Sequence, residues 1–122
     1  MARTEVYMYR DEDGELPLIQ WLDKLQQKAQ LKCFERISRL AEIGNELRRP
    51  EADFLRDGIY ELRANYQGIH YRILYFFSGK AVVVLSHGII KEAEVPRKEI
   101  ERAIERKRKV EADFGHRTFR PA

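Results

Sequence analysis

The sequence predicts an α+β domain, and three patterns predict it. The run Ile69–Phe77 is β-favouring and largely apolar at both alternate sets of positions, two amphipathic helical stripes precede it, and a charged helical stripe follows it. A strand that is apolar on both faces needs a cover on each side, and helices are the covers this chain has to offer. With 122 residues there is chain for one core and no second domain. The domain is placed at residues 1–114, followed by a polar, flexible tail at residues 115–122.

Taken in order, residues 5–10 carry Val6, Tyr7 and Tyr9 and then meet Asp11-Glu12-Asp13-Gly14, which reads as an opening strand and a turn. Leu18, Trp21, Leu22 and Leu25 then recur at the spacing of one helical face behind Pro17, a residue tolerated in a first turn because its missing N–H would be unpaired there anyway. A longer helix is expected over residues 30–46, with Cys33, Phe34, Ile37, Leu40 and Ala41 on its apolar stripe. Gly44-Asn45 weakens its end, and Pro50 stops it.

Three short β-favouring runs come next, at residues 59–63, 69–77 and 81–86, the last two flanking the hairpin-length break Ser78-Gly79-Lys80. Alternation in the middle run places Ile69, Tyr71, Ile73, Tyr75 and Phe77 on one face and His70, Arg72, Leu74 and Phe76 on the other. Val95-Pro96 then opens a C-terminal helix whose stripe is Ile100, Ala103, Ile104 and Val110. Its basic run Arg106-Lys107-Arg108-Lys109 reads as a solvated helix face before it reads as a nucleic-acid contact.

Composition excludes several classes. The chain is 43% hydrophobic and 35% charged with a net charge of +3, which suits a soluble, mildly basic protein. No apolar run approaches the roughly 18 residues that span a bilayer, and the N-terminus shows no secretory leader, so a cytoplasmic protein without a membrane partner is expected. Cys33 is the single cysteine, which rules out an internal disulfide and a multi-thiolate zinc site, and its place on a helical stripe reads as a packed thiol. Neither a phosphate-binding glycine loop, a dinucleotide fingerprint, a His-Glu-x-x-His helix nor a Gly-x-Ser-x-Gly elbow is present. His70, His87 and His116 lie far apart, so neither a metal nor a cofactor is expected.

What remains is a basic and imidazole-bearing set on and just beyond the strands: Arg63, Arg72, His87 and Lys91. Metal-independent RNA cleavage needs a base for the 2′-OH proton, a cation for the developing phosphorane charge and an acid for the leaving 5′-oxygen. Arginine suits the middle task because its planar fork meets phosphate oxygens in two bonds and stays protonated, while histidine or a lysine among cations suits the proton transfers. Each residue also has a structural reading: Arg63 paired with Glu61, Arg72 tying strands together, His87 hydrogen-bonded at a strand end, and Lys91 with Glu92 as an exposed pair.

The ordered set Gly58-Ile59-Tyr60-Glu61-Leu62-Arg63, Tyr71-Arg72-Ile73-Leu74-Tyr75, His87-Gly88-Ile89-Ile90-Lys91 and Pro96-x-x-Glu99-Ile100 resembles the RelE/ParE toxin superfamily over residues 4–110, nearest to its HigB-like, phage-derived branch. The resemblance implies a RelE-like fold, with an N-terminal strand and a helical hairpin packed on a small antiparallel sheet and a C-terminal helix. It implies the toxin of a type II toxin–antitoxin system: an mRNA interferase, a ribosome-dependent endoribonuclease that inhibits translation. The implied partners are the ribosome and mRNA, a helix-turn-helix antitoxin, and DNA only through the antitoxin complex. By position, Arg63 and Arg72 would hold the scissile phosphate, Lys91 would add charge stabilisation or act as base, and His87 would transfer a proton. Related proteins often carry two adjacent lysines where this chain has Lys91-Glu92, which removes one cation. The superfamily also contains ParE-like inhibitors of DNA gyrase, and a catalytically inactive basic binding module is the third reading; fold does not separate them.

Overall fold

The computed structural model describes residues 3–120. Its strands are β1 (Glu5–Tyr9), β2 (Ala52–Arg56), β3 (Ile59–Tyr66), β4 (Ile69–Phe77), β5 (Val82–Ile90) and β6 (Thr118–Phe119). Its helices are α1 (Pro17–Leu22), α2 (Gln27–Ile43), α3 (Arg97–Ala112) and α4 (Phe114–Arg117). The strands form one mixed sheet in the order β2-β3-β4-β5-β1-β6, in which only β1 and β5 run parallel. Among the described residues no helix is long and apolar enough to cross a membrane.

Two tight hairpins build the antiparallel half. Asp57-Gly58 and Gln67-Gly68 both have positive φ at each residue and join β2 to β3 and β3 to β4. Paired positive φ is the two-residue turn whose twist matches that of the flanking strands, and glycine adopts it without a Cβ penalty.

The alternation of β4 then sorts the core. Tyr71, Ile73 and Tyr75 pack with Leu62, Val83 and Leu85 beneath α1 and α2, which contribute Leu18, Leu22, Ala29, Cys33 and Leu40. Leu74 and Phe76 pack on the other face with Ile59, Val84 and Tyr9 beneath Ile100, Ala103 and Val110 of α3. Cys33 is fully buried, and burial pushes its thiol pKa up to about 11, which keeps it protonated and unreactive.

Several expectations are corrected. The sheet has six strands and is mixed: β1 lies inside it beside β5, because β5 is buried on both faces and its second edge needs a hydrogen-bonded neighbour. The strand β2 was not foreseen. Helix α2 runs three residues earlier than expected, ending at Ile43, and passes into a 3₁₀ turn at Gly44–Glu46. Phe34 lies on the stripe but is 43% exposed. β5 continues to Ile90, so His87 and Gly88 sit within a strand. Residues 115–119 of the expected tail are structured, as β6 pairs with β1 and Arg10 Nη2 donates to the Thr118 carbonyl at 2.6 Å. Residues 1–2 of the expected domain and 121–122 of the tail lie outside the described residues.

Gly88 is where a helix meets the sheet most closely, since a Cβ there would lie 2.1 Å from the Trp21 ring. Gly88→Ala therefore forces α1 away from β5 and is expected to destabilise the fold by at least about 2 kcal/mol, read as a lower midpoint in urea unfolding.

Candidate functional site

Strand periodicity puts Glu61 and Arg63 of β3 and Arg72 of β4 on the face that carries α3, and register sets Arg63 directly opposite Arg72. Two guanidinium groups facing each other across a strand pair repel. Glu61 answers this from two residues along the same face. Its Oε2 accepts a hydrogen bond from Arg63 Nη2 at 3.0 Å, and its Oε1 lies 2.8 Å from Arg72 Nε. Glu61 is 5% exposed and Arg72 8% exposed, so that pair is largely desolvated, while Arg63 remains part-exposed at the edge of the triad.

The triad is not self-satisfied. The Arg72 Nε–H does not point at the nearby Glu61 oxygen, so that contact is an ion pair without a hydrogen bond. Arg72 Nε and Arg63 Nε are both buried without an acceptor. Both Nε atoms are enclosed, so an anion entering from the cleft would meet the Nη ends of the two guanidiniums.

These arginines form the floor of a cleft of about 560 Å³ that opens beside the first turn of α3. Arg49, Asp53 and Arg56 line one side of it, and Glu92, Ala93, Glu94 and Val95 line another. Arg49 donates to Asp53 Oδ2 from Nε and Nη2 at 3.0 and 2.7 Å, and this hydrogen bond holds the Asp53 carboxyl below its ordinary pKa. Arg63 Nη2 also lies 3.6 Å from Asp53 Oδ2.

The structure does not bring His87 into that cleft. Between Tyr75↔Leu85 and Leu74↔His87 the β4–β5 register skips Ser86. This bulge turns His87, rather than Ser86, toward α3. There His87 Nδ1 meets Ser86 Oγ at 2.8 Å and Nε2 meets Glu99 Oε1 at 3.0 Å. A carboxylate can only accept, which assigns the ring proton to Nε2 and makes Ser86 the donor to Nδ1. The order Ser86–His87–Glu99 resembles a hydrolytic triad in composition only, because Ser86 is fully buried and no substrate reaches its hydroxyl. Burial, followed by repulsion from Arg106, lowers the His87 pKa to about 4 against the pull of Glu99. His87 is thus neutral and ties α3 to the sheet.

Lys91 is exposed just past β5, its backbone N–H donating to the His70 carbonyl at 3.0 Å. It does not line the cleft, whereas its neighbour Glu92 does. The basic run of α3 is dispersed: Arg106 turns inward with its guanidinium carbon 5.0 Å from the centroid of the Tyr9 ring, while Lys107, Arg108 and Lys109 pair with Glu111, Glu105 and Glu12. Among the described residues no group of three or more His, Cys, Asp or Glu side chains is placed to hold a metal ion.

Sequence reasoning missed Arg49, Arg56 and the 92–95 wall, and gave Glu61 only as a possible partner of Arg63. One signal was available: Asp57-Gly58 is a hairpin turn, and a hairpin requires a strand before it, which brings Arg49 and Arg56 to the mouth of the cleft.

A family model described as Phage derived protein Gp49-like (DUF891) matches residues 20–108, a span that contains the whole arginine floor, His87 and Lys91. No curated protein matches the chain.

Glu61→Ala leaves two facing guanidiniums without their bridge, and a loss of about 2–4 kcal/mol in urea unfolding is expected. His87 gives a pH signature of the opposite sign from an ion-paired histidine. The unfolded chain protonates this ring near 6.5 and the folded chain only near 4. Stability is therefore complete above about pH 6.5 and falls as pH drops toward 4, by up to about 3 kcal/mol. Subtracting the same titration for His87→Gln should isolate that slope; parallel curves would remove His87 as its source.

Proposed function

Since the chain belongs to the Gp49-like family of phage-derived proteins, a family associated with RelE-like toxins, we propose that it is the HigB-like toxin of a toxin–antitoxin pair. On this reading it has a RelE-like fold and acts as a metal-independent, ribosome-dependent mRNA endoribonuclease. One observation carries the proposal: Arg63 and Arg72, fixed by a single buried carboxylate, lie side by side on the floor of a cleft large enough for a nucleotide.

In this mechanism the two guanidiniums grip the non-bridging oxygens of the scissile phosphate and stabilise the charge that grows on them as the 2′-oxygen attacks and the P–O5′ bond breaks, giving a 2′,3′-cyclic phosphate and a 5′-hydroxyl protonated from water. Because the arginines are held before substrate arrives, little reorganisation is needed in the transition state. Lys91, at the end of β5 beside the cleft wall, is the candidate for taking the 2′-OH proton or adding positive charge. His87 keeps its place in the proposal as a positioning residue, holding α3 beside the cleft through Glu99. The ribosome and its mRNA are the proposed substrate complex, and a helix-turn-helix antitoxin is the proposed inhibitor, through which DNA is reached.

Induction of the chain in bacteria without an antitoxin is expected to arrest growth and leave messenger RNAs cut within translated codons, mapped by primer extension. Arrest with intact mRNA and lost supercoiling would instead mark a gyrase inhibitor, and tight partner binding without arrest an inert module. Arg72→Ala should lower cleavage by at least about 100-fold. A folded Arg72→Ala variant with full activity would take the arginine floor out of the mechanism.

A further inference from the structure

We propose that Glu92 and Glu94 make the cleft selective for a singly charged internal phosphodiester against terminal phosphomonoesters and polyphosphates. The inference rests on the reading of the arginine floor as a phosphate site and specifies which phosphates it admits.

The lining sets the selectivity through its charges. Four arginines and four carboxylates face the cleft, but they are unevenly placed. On the floor, Arg63 and Arg72 share the carboxylate of Glu61, and Asp53 reaches Arg63 at 3.6 Å as well as Arg49, so these three arginines and two carboxylates together carry a single net positive charge. At the side, Arg49 and Asp53 cancel each other through two hydrogen bonds, and Arg56 is engaged by Asp57 at 2.6 Å. Glu92 and Glu94 are both exposed and form no ion pair among the described residues. Their segment is held at both ends, by the hydrogen bond from Lys91 N–H to the His70 carbonyl and by the buried side chain of Val95.

A phosphodiester carries one negative charge, which the floor matches. A terminal phosphate carries about −1.5 to −2 at neutral pH, and a polyphosphate carries more. Any charge beyond the first lies nearer the carboxylates of the 92–95 wall and is repelled. The acidic lip therefore costs an internal linkage little and a terminal or chained phosphate much more.

The test measures binding of two probes at about 50 mM salt, where the Debye length is long enough for the lip to act. One probe is a 2′-O-methyl dinucleoside monophosphate, which has one internal phosphodiester and cannot be cleaved; the other is pyrophosphate. Wild type should prefer the dinucleotide, and Glu92→Gln/Glu94→Gln should tighten pyrophosphate at least about fivefold more than the dinucleotide, with the difference shrinking as salt rises. Equal tightening of both probes, or of neither, overturns the selectivity. Arg72→Ala separates this from the underlying reading: it should lose dinucleotide binding. If it binds the dinucleotide as wild type does, or if wild type binds neither probe, the floor is not a phosphate site and the proposed function falls with the lip.

Discussion

The structure depends on one constraint: β4 is buried on both faces. Of its nine residues, those from Tyr71 to Phe76 are all buried, so the alternating side chains must find two separate covers. α1 and α2 supply one and α3 the other. Burial of this kind contributes about 25 cal/mol per Å² of apolar surface, and over two clusters it outweighs any single polar term in the fold. The arrangement also creates the site. Helix α3 starts only at Arg97, so the end of the sheet that carries Arg63 and Arg72 is flanked by the helix's first turn and the 92–95 segment rather than covered by helix, and a cleft is left above it.

Placing guanidinium groups on that half-covered surface is electrostatically awkward. Burying a cation is unfavourable, and burying two opposite each other is more so. Glu61 resolves the conflict incompletely, since it neutralises one charge and leaves donors on both arginines unfilled. A floor fully neutralised by two acids would be more stable and would have little reason to bind an anion. Incomplete neutralisation, held in place by the strand ladder, leaves positive charge on the cleft floor.

Helix α3, on the same face of the sheet, is fastened by different means. The one-residue bulge at Ser86 brings His87 to α3, where Glu99 accepts a hydrogen bond from its Nε2–H while Arg102 donates to the same carboxylate at 3.2 Å. An imidazole enclosed between strand and helix is costly to charge, so it serves as a neutral tether. A small register shift thus decides that a histidine with catalytic potential becomes a strut. Lys91, by contrast, is left in solvent beside the acidic wall of the cleft.

Much of this was present in the sequence. The double-faced apolar run of β4, the stripes of α1, α2 and α3, and the order of Arg63 and Arg72 on alternating strands follow from side-chain periodicity and hydrophobicity, which are local properties. The sequence alone determined that two successive strands would each carry an arginine and that helices would cover the sheet; their facing each other comes from the register of β3 on β4. What only the tertiary structure decided depends on long-range register and on where covers end. The parallel pairing of β1 with β5 joins segments more than seventy residues apart in sequence. The bulge at Ser86 puts His87 on the sheet face of the arginines but beneath α3, where Glu99 holds it outside the cleft, and the late start of α3 leaves the cleft open. The return of the 92–95 segment makes Glu92, and not Lys91, its wall. None of these has a local signature, because each is set by the competition among distant segments for the same buried edges and faces.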